Sequence, residues 1–174
     1  NRWECCWMPS VILLRGINLG AKNKVDMKSL KSLFEEMSYE NVQTYIQTGN
    51  VIVEQSVIDG PSLEVALLEA YGFEIPVTIR SKEELEEIQH HPIFYKDQVY
   101  VMFLTQEISE EQQEMLVGLI DDEFVVWKNR NVIISLSKTY HQTKFTNAFF
   151  ERKLGIPSTA RNKNTVNKII AKMS

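Results

Sequence analysis

The sequence predicts an α+β protein made of two copies of one β-α-β-β-α-β unit, each followed by a further helix. Three observations carry that expectation. Apolar residues switch between strand-like runs and helical spacing along the chain. The second half repeats the first at a nearly constant offset. The turn at residues 47–50 is too tight for a parallel crossover, so an antiparallel hairpin is expected there. The 174 residues suit one domain or two small ones sharing a core, and a 44% hydrophobic content suits a folded chain.

Val11 to Ile17 is an apolar strand-like run ending at a Gly-rich stretch. Asp26 to Met37 places Met27, Leu30, Leu33, Phe34 and Met37 at helical spacing, with Asp26 as N-cap. Val42 to Ile46 and Val51 to Val53 flank Gln47-Thr48-Gly49-Asn50, a hairpin signal. Ser62 to Tyr71 reads as a helix stopped by Gly72. Ile75 to Arg80 is a strand, and Ser81 with Glu84 has capping-box spacing before an acidic helix.

The second half follows the same order. Val11 and Leu14 pair with Val101 and Leu104 at an offset of 90, and Leu33, Phe34 and Met37 pair with Met115, Leu116 and Leu119 at 82. Asn50 to Val53 matches Asn131 to Ile134 at 81, and Gly72 matches Gly155 at 83, closing a helix expected from Lys144 to Leu154. Pro76, Thr78, Arg80 and Lys82 meet Pro157, Thr159, Arg161 and Lys163 at 81. This is an internal duplication. Its element order is that of a ferredoxin-like split βαβ motif, in which right-handed crossovers set the first strand beside the third. The expected organisation is a first unit at 8–92 and a second at 93–174, within one compact domain or two. Residues 1–7 are read as a non-native leader, added or misread, ahead of Met8-Pro9.

Composition narrows the chemistry. Cys5 and Cys6 are the only cysteines, both inside that leader, which leaves disulfides and thiolate catalysis out of the body. His90, His91 and His141 have no ligand spacing, so no metal is expected, and no cofactor. No run of about 18 apolar residues spans a membrane, and a cytoplasmic location is the default. The net charge of −4 conceals three blocks. Residues 1–53 carry 6 Lys/Arg against 5 Asp/Glu, 54–124 carry 3 against 17, and 125–174 carry 10 against 1. The last block attracts polyanions locally or is satisfied within the molecule, so the overall acidity does not decide against nucleic acid.

The stretches LLRGINLGAKNKVDM, YIQTGNV, FTNAFFERKLG and TARNKNTV resemble the bacterial domain-of-unknown-function 1697 family. The likeness covers nearly the whole chain from Met8, with departures at Ala21, Thr48 and Lys163. It implies a duplicated ferredoxin-like fold and assigns no activity.

The offsets fall from 90 to 82 between the first strand and the first helix, so the first β–α connection is about eight residues longer than its copy. Added loop length on a duplicated scaffold is where a site is expected. Within it, Arg15, Asn18, Lys22, Asn23 and Lys24 supply cations and amides. Gly16 and Gly20 permit positive φ, and the loop runs into a helix N-terminus that favours anions. Neither a Walker loop nor a dinucleotide fingerprint is present. Gln47, Thr48 and Asn50 are expected at the same sheet edge. Turn chemistry is an equally good account of Asn18, Gln47 and Asn50, with Lys22 and Lys24 solvated.

Secondary candidates are Arg152, Arg161, Asn162 and Asn164. For Arg161 and Asn162 the structural account is favoured, because they repeat Arg80 and Ser81: a helix cap, and an arginine pairing with the preceding helix. Tyr140, His141 and Lys144 lack a carboxylate to orient the imidazole, and Phe145, Phe149 and Phe150 read as core. The leading functional expectation is a binding module for a phosphate-bearing ligand, nucleotide or nucleic acid, at the long loop. The alternatives are an enzyme on a small anionic metabolite, with the loop as an oxyanion clamp, or a protein-interaction scaffold. No membrane partner is expected, and the chain is read as a monomer or weak dimer.

Overall fold

The computed structural model describes residues 8–174, so the expectation for Asn1–Trp7 lies outside the described residues. The protein is α+β, and the described residues form two four-stranded antiparallel sheets and six α-helices. The first half runs β1 (Ser10–Leu14), α1 (Met27–Glu36), β2 (Gln43–Tyr45), β3 (Asn50–Val53), α2 (Gly60–Tyr71), β4 (Val77–Ser81) and α3 (Lys82–Gln89). A 3-10 turn at Pro92–Tyr95 follows. The second half runs β5 (Val99–Leu104), α4 (Glu110–Leu119), β6 (Glu123–Trp127), β7 (Asn131–Ser135), α5 (Asn147–Leu154), β8 (Ser158–Asn162) and α6 (Lys163–Lys172).

The sheets have matching orders, β2-β3-β1-β4 and β6-β7-β5-β8. In the first, Ile12 faces Val51 across one pair and Ile79 across the other. In the second, Val101 faces Ile133 and Arg161. The expected pairing of first and third strands, and of Arg80 and Arg161 as equivalent positions, is present in both sheets.

Two compact units result. One extends to Leu85 and takes in Ile169–Ser174; the other is Glu86–Lys168. The division therefore falls inside α3 and α6, whereas the repeat alone suggested residue 92. In the first unit, Ile12 and Leu14 of β1, Val51 and Val53 of β3, and Leu30, Phe34, Leu63 and Leu67 of α1 and α2 form the core. Their alternation on the strands and their three- or four-residue spacing on the helices are the periodicities read from the sequence. In the second, Met102, Leu104, Val132 and Ile134 meet Leu116, Phe149, Phe150 and Leu154.

The helix termini follow from local chemistry. Asp26 caps α1 through Ser29 N at 2.9 Å, and Ser109 with Gln112 forms a reciprocal capping box on α4. Gly72 and Gly155 end α2 and α5 at φ of 81° and 71°, where a side chain would strain the left-handed backbone. Two helix starts differ from expectation. The helix expected from Ser62 begins at Gly60, because Asp59 caps it through Ser62 N and Pro61 occupies the first turn. The helix expected from Lys144 begins at Asn147, because Tyr140 Oη accepts the Asn147 N–H at 2.9 Å and fixes the chain before it.

Candidate functional site

The β1–α1 connection has twelve residues, Arg15 to Asp26, against five, Thr105 to Ser109, between β5 and α4. The added length folds on itself. Leu19 and Lys22 exchange backbone hydrogen bonds of 3.0 and 2.9 Å around Gly20-Ala21, with Gly20 at φ 59°. Glycine at the first position of a two-residue hairpin meets the positive φ such turns demand, and Ala21 needs none. Asn18 N donates to Asn23 O, and Asn23 Nδ2 donates back to Gly16 O at 3.0 Å.

Asn18 then joins this hairpin to the β2–β3 turn. Its Oδ1 accepts from Val25 N at 2.9 Å, while Nδ2 donates to Val25 O at 3.1 Å and Gln47 O at 2.8 Å. Both functions of the amide are consumed, and asparagine is the short side chain that tolerates its φ of 52°. Gly49 completes the junction. A Cβ there would sit 2.7 Å from Ile17 Cδ1 and 2.9 Å from Leu14 Cβ, and φ is 93°, so only glycine lets this turn approach β1. Asn50 is fully buried and donates to Tyr45 O at 2.9 Å and Thr48 Oγ1 at 3.2 Å. Asn131 makes the matching bond to Trp127 O at 3.1 Å in the other unit.

Beside this junction lies an open depression of about 440 Å³, lined by Asn18, Gly20, Lys24, Val25, Asp26 and Gln47. The structure thus brings together three of the sequence-derived residues, Asn18, Lys24 and Gln47. Lys22, Asn23 and Thr48 are exposed on the same two loops without lining it, Arg15 is half-buried at the end of β1, and Asn50 is interior. Asp26 also lines the depression, a position the sequence marked only as a cap. Its carboxylate occupies the N-terminus of α1, so the helix end is neutralised by the chain itself and the cationic character rests on the lysines.

The secondary candidates are dispersed. Asn162 Oδ1 accepts from Thr165 N at 2.8 Å, which is the helix cap expected from the repeat. Asn164 is exposed on α6, and exposed Arg152 rests over the Phe149 ring at 5.9 Å. Arg161 is buried, and desolvation lowers its pKa from the usual guanidinium range to about 10. Its repeat partner Arg80 pairs with Glu84 at 3.3 Å, in the helix that follows its strand.

His91 Nδ1 accepts from Ile93 N at 3.3 Å and caps the 3-10 turn, and His141 is exposed. Among the described residues no group of His, Cys, Asp and Glu is arranged to hold a metal ion. Likewise no helix is long and apolar enough to cross a membrane.

The family model described as "Protein of unknown function (DUF1697)" matches residues 8–133, a span that includes the whole loop junction. The chain belongs to this family. Among solved structures, the conserved bacterial protein SP0830 from Streptococcus pneumoniae is similar, with 26% sequence identity and a TM-score of 0.71. The similarity covers 96% of this chain and 99% of that one, so this family member shares both units with it. No curated protein matches the chain.

Proposed function

We propose that this DUF1697 protein is a bacterial binding module that holds a phosphate-bearing ligand, a nucleotide or a nucleic-acid end, in the depression beside Asn18. Each unit is read as ferredoxin-like: the order β2-β3-β1-β4 with helices after the first and third strands supports that reading. The observation that carries the functional reading is the Asn18 clamp. One of its side-chain bonds ties the β1–α1 loop to the β2–β3 turn, and the other two brace its own loop at Val25. Lys24 and Gln47, whose side chains have no hydrogen-bond partner among the described residues, both line the space beside it. A concave space of about 440 Å³ is within the range that small ligands occupy. Lys22 and Lys24, both exposed on the added hairpin, supply the charge that draws an anion.

The enzyme alternative draws support from Asp26, the one carboxylate among the lining residues. Lys24 is the other ionisable side chain among the lining residues, and as a cation it serves anion binding, which accounts for the lining without a chemical step.

The test is calorimetric titration of the protein with AMP, a short oligoribonucleotide and inorganic phosphate, alongside a Lys22→Ala/Lys24→Ala double variant. Binding that weakens at least about tenfold in the variant supports the proposal. Equal binding by both proteins, or no binding to any of the three, ends it.

A further inference from the structure

The depression is not purely cationic, and its polar groups are unevenly committed. Asp26 Oδ2 accepts from Ser29 N at 2.9 Å, while Oδ1 has no partner among the described residues. Asn18 has both amide hydrogens committed, whereas the Lys24 ammonium and Gln47 carboxamide have no partner among the described residues. A ligand in this space therefore meets one cationic donor, one neutral amide and one anionic acceptor. A bare phosphate matches the first and is repelled by the last, since Asp26 already fills the helix N-terminus that would otherwise attract it.

Resting on the reading that this depression holds a phosphate-bearing ligand, we propose that the ligand is a hydroxyl-bearing phosphate ester of the ribonucleotide class. The free Asp26 Oδ1 accepts a ribose hydroxyl, and Lys24 meets the phosphate. A hydroxyl donating to a carboxylate is a charge-assisted bond and turns the repulsion into selectivity. Apolar surface for a base is close in sequence to the lining. Leu19, beside Gly20, is 58% exposed, and Ile46, beside Gln47, is 42% exposed. Ile46 is also held at φ 50°, a conformation that β-branched residues rarely adopt. Asp26 is in this view a specificity-determining residue as well as a cap.

The discriminating experiment titrates the full chain with AMP, 2′,3′-dideoxy-AMP and inorganic phosphate, then repeats the series with Asp26→Ser. Serine keeps an oxygen for the Ser29 N–H, so the helix cap survives, but it removes the charge and the second acceptor. A thermal melt of the variant verifies that it is folded. The expected result is AMP bound about tenfold or more tighter than the dideoxy analogue by the native protein. In Asp26→Ser that preference collapses to less than about twofold and inorganic phosphate binds better than before. Equal affinity of the native protein for AMP and its dideoxy analogue overturns this inference while leaving phosphate recognition standing. A preference that persists in Asp26→Ser does the same. Failure of all three probes to bind overturns both readings together.

Discussion

Arg80 Nε lies 3.3 Å from Glu84 Oε2, with the two side chains 2% and 6% exposed, across the junction of β4 and α3. The guanidinium also donates to Ile79 O at 2.9 Å. Taking either charge away removes this ion-pair partner from the other in a site with little water to solvate it. Glu84→Ala is expected to lower unfolding free energy by roughly 3–5 kcal/mol, measured by urea denaturation. Arg80→Met combined with Glu84→Leu should recover much of that loss, because both charges of this buried pair are then gone. A double variant no better than the single would show that packing, not charge, sets the cost.

Arg161 gives a pH signature. Its pKa falls from the ordinary guanidinium value to about 10 on folding because burial disfavours the charged guanidinium. The unfolded chain therefore binds more protons between those values, and stability rises with pH across that window. The penalty is fully present below about pH 10, and its relief is worth at most roughly 3 kcal/mol. In denaturant titrations the stability difference between the wild type and Arg161→Met should stay constant from about pH 7 to 9. It should then move in the wild type's favour above about pH 10. A difference that stays flat to about pH 11.5 would refute the assignment.

Glycine is required at 49 more stringently than at 20. Gly49→Ala meets Ile17 and Leu14 side chains at 2.7 and 2.9 Å in addition to a positive φ, whereas a Cβ at Gly20 meets nothing within 4 Å. Expected losses are roughly 2–4 kcal/mol for Gly49→Ala and about 1 kcal/mol for Gly20→Ala, read from thermal or chemical denaturation. Comparable losses at the two positions would contradict the close approach of turn and strand.

Tyr140 caps α5 at long reach, since Thr146 makes no side-chain cap bond and the phenolic oxygen takes the Asn147 N–H. Tyr140→Phe retains the ring stacked 4.6 Å from Tyr100 and deletes the hydroxyl. The expected cost is about 1 kcal/mol, with faster amide exchange confined to the first turn of α5. Unchanged exchange there would show that solvent replaces the hydroxyl without loss.

Much of this architecture is legible in the sequence because the signals are local and duplicated. Asp26, Ser109, Gly72 and Gly155 mark helix ends by chemistry confined to one turn. Asn50 and Asn131 declare equivalent hairpins because each buried amide serves the strand end four or five residues earlier. What the sequence does not convey is long-range pairing. The Asn18 bond to Gln47 bridges 29 residues, and the residue type alone reads equally as an ordinary turn former. The dual position of Asp26 is hidden for a similar reason: a cap signal accounts for the residue fully, so nothing in the pattern points to its second oxygen. Residue Ile46 carries the opposite lesson, since a β-branched side chain argues for strand and the chain turns there instead.

Duplication with one inserted hairpin gives every molecule its own internal reference. The β5–α4 connection is the same crossover without the added Leu19–Lys22 turn, sitting on a sheet of the same strand order. In an amide spectrum, a ligand specific for the insertion should move resonances around residues 16–26 and 46–49 while those of Thr105–Ser109 and Lys128–Arg130 stay fixed. Nonspecific ionic effects would displace both sets. Transplanting Arg15–Asp26 onto the shorter crossover would then ask whether recognition resides in the hairpin alone or also demands the Gln47 turn beneath it.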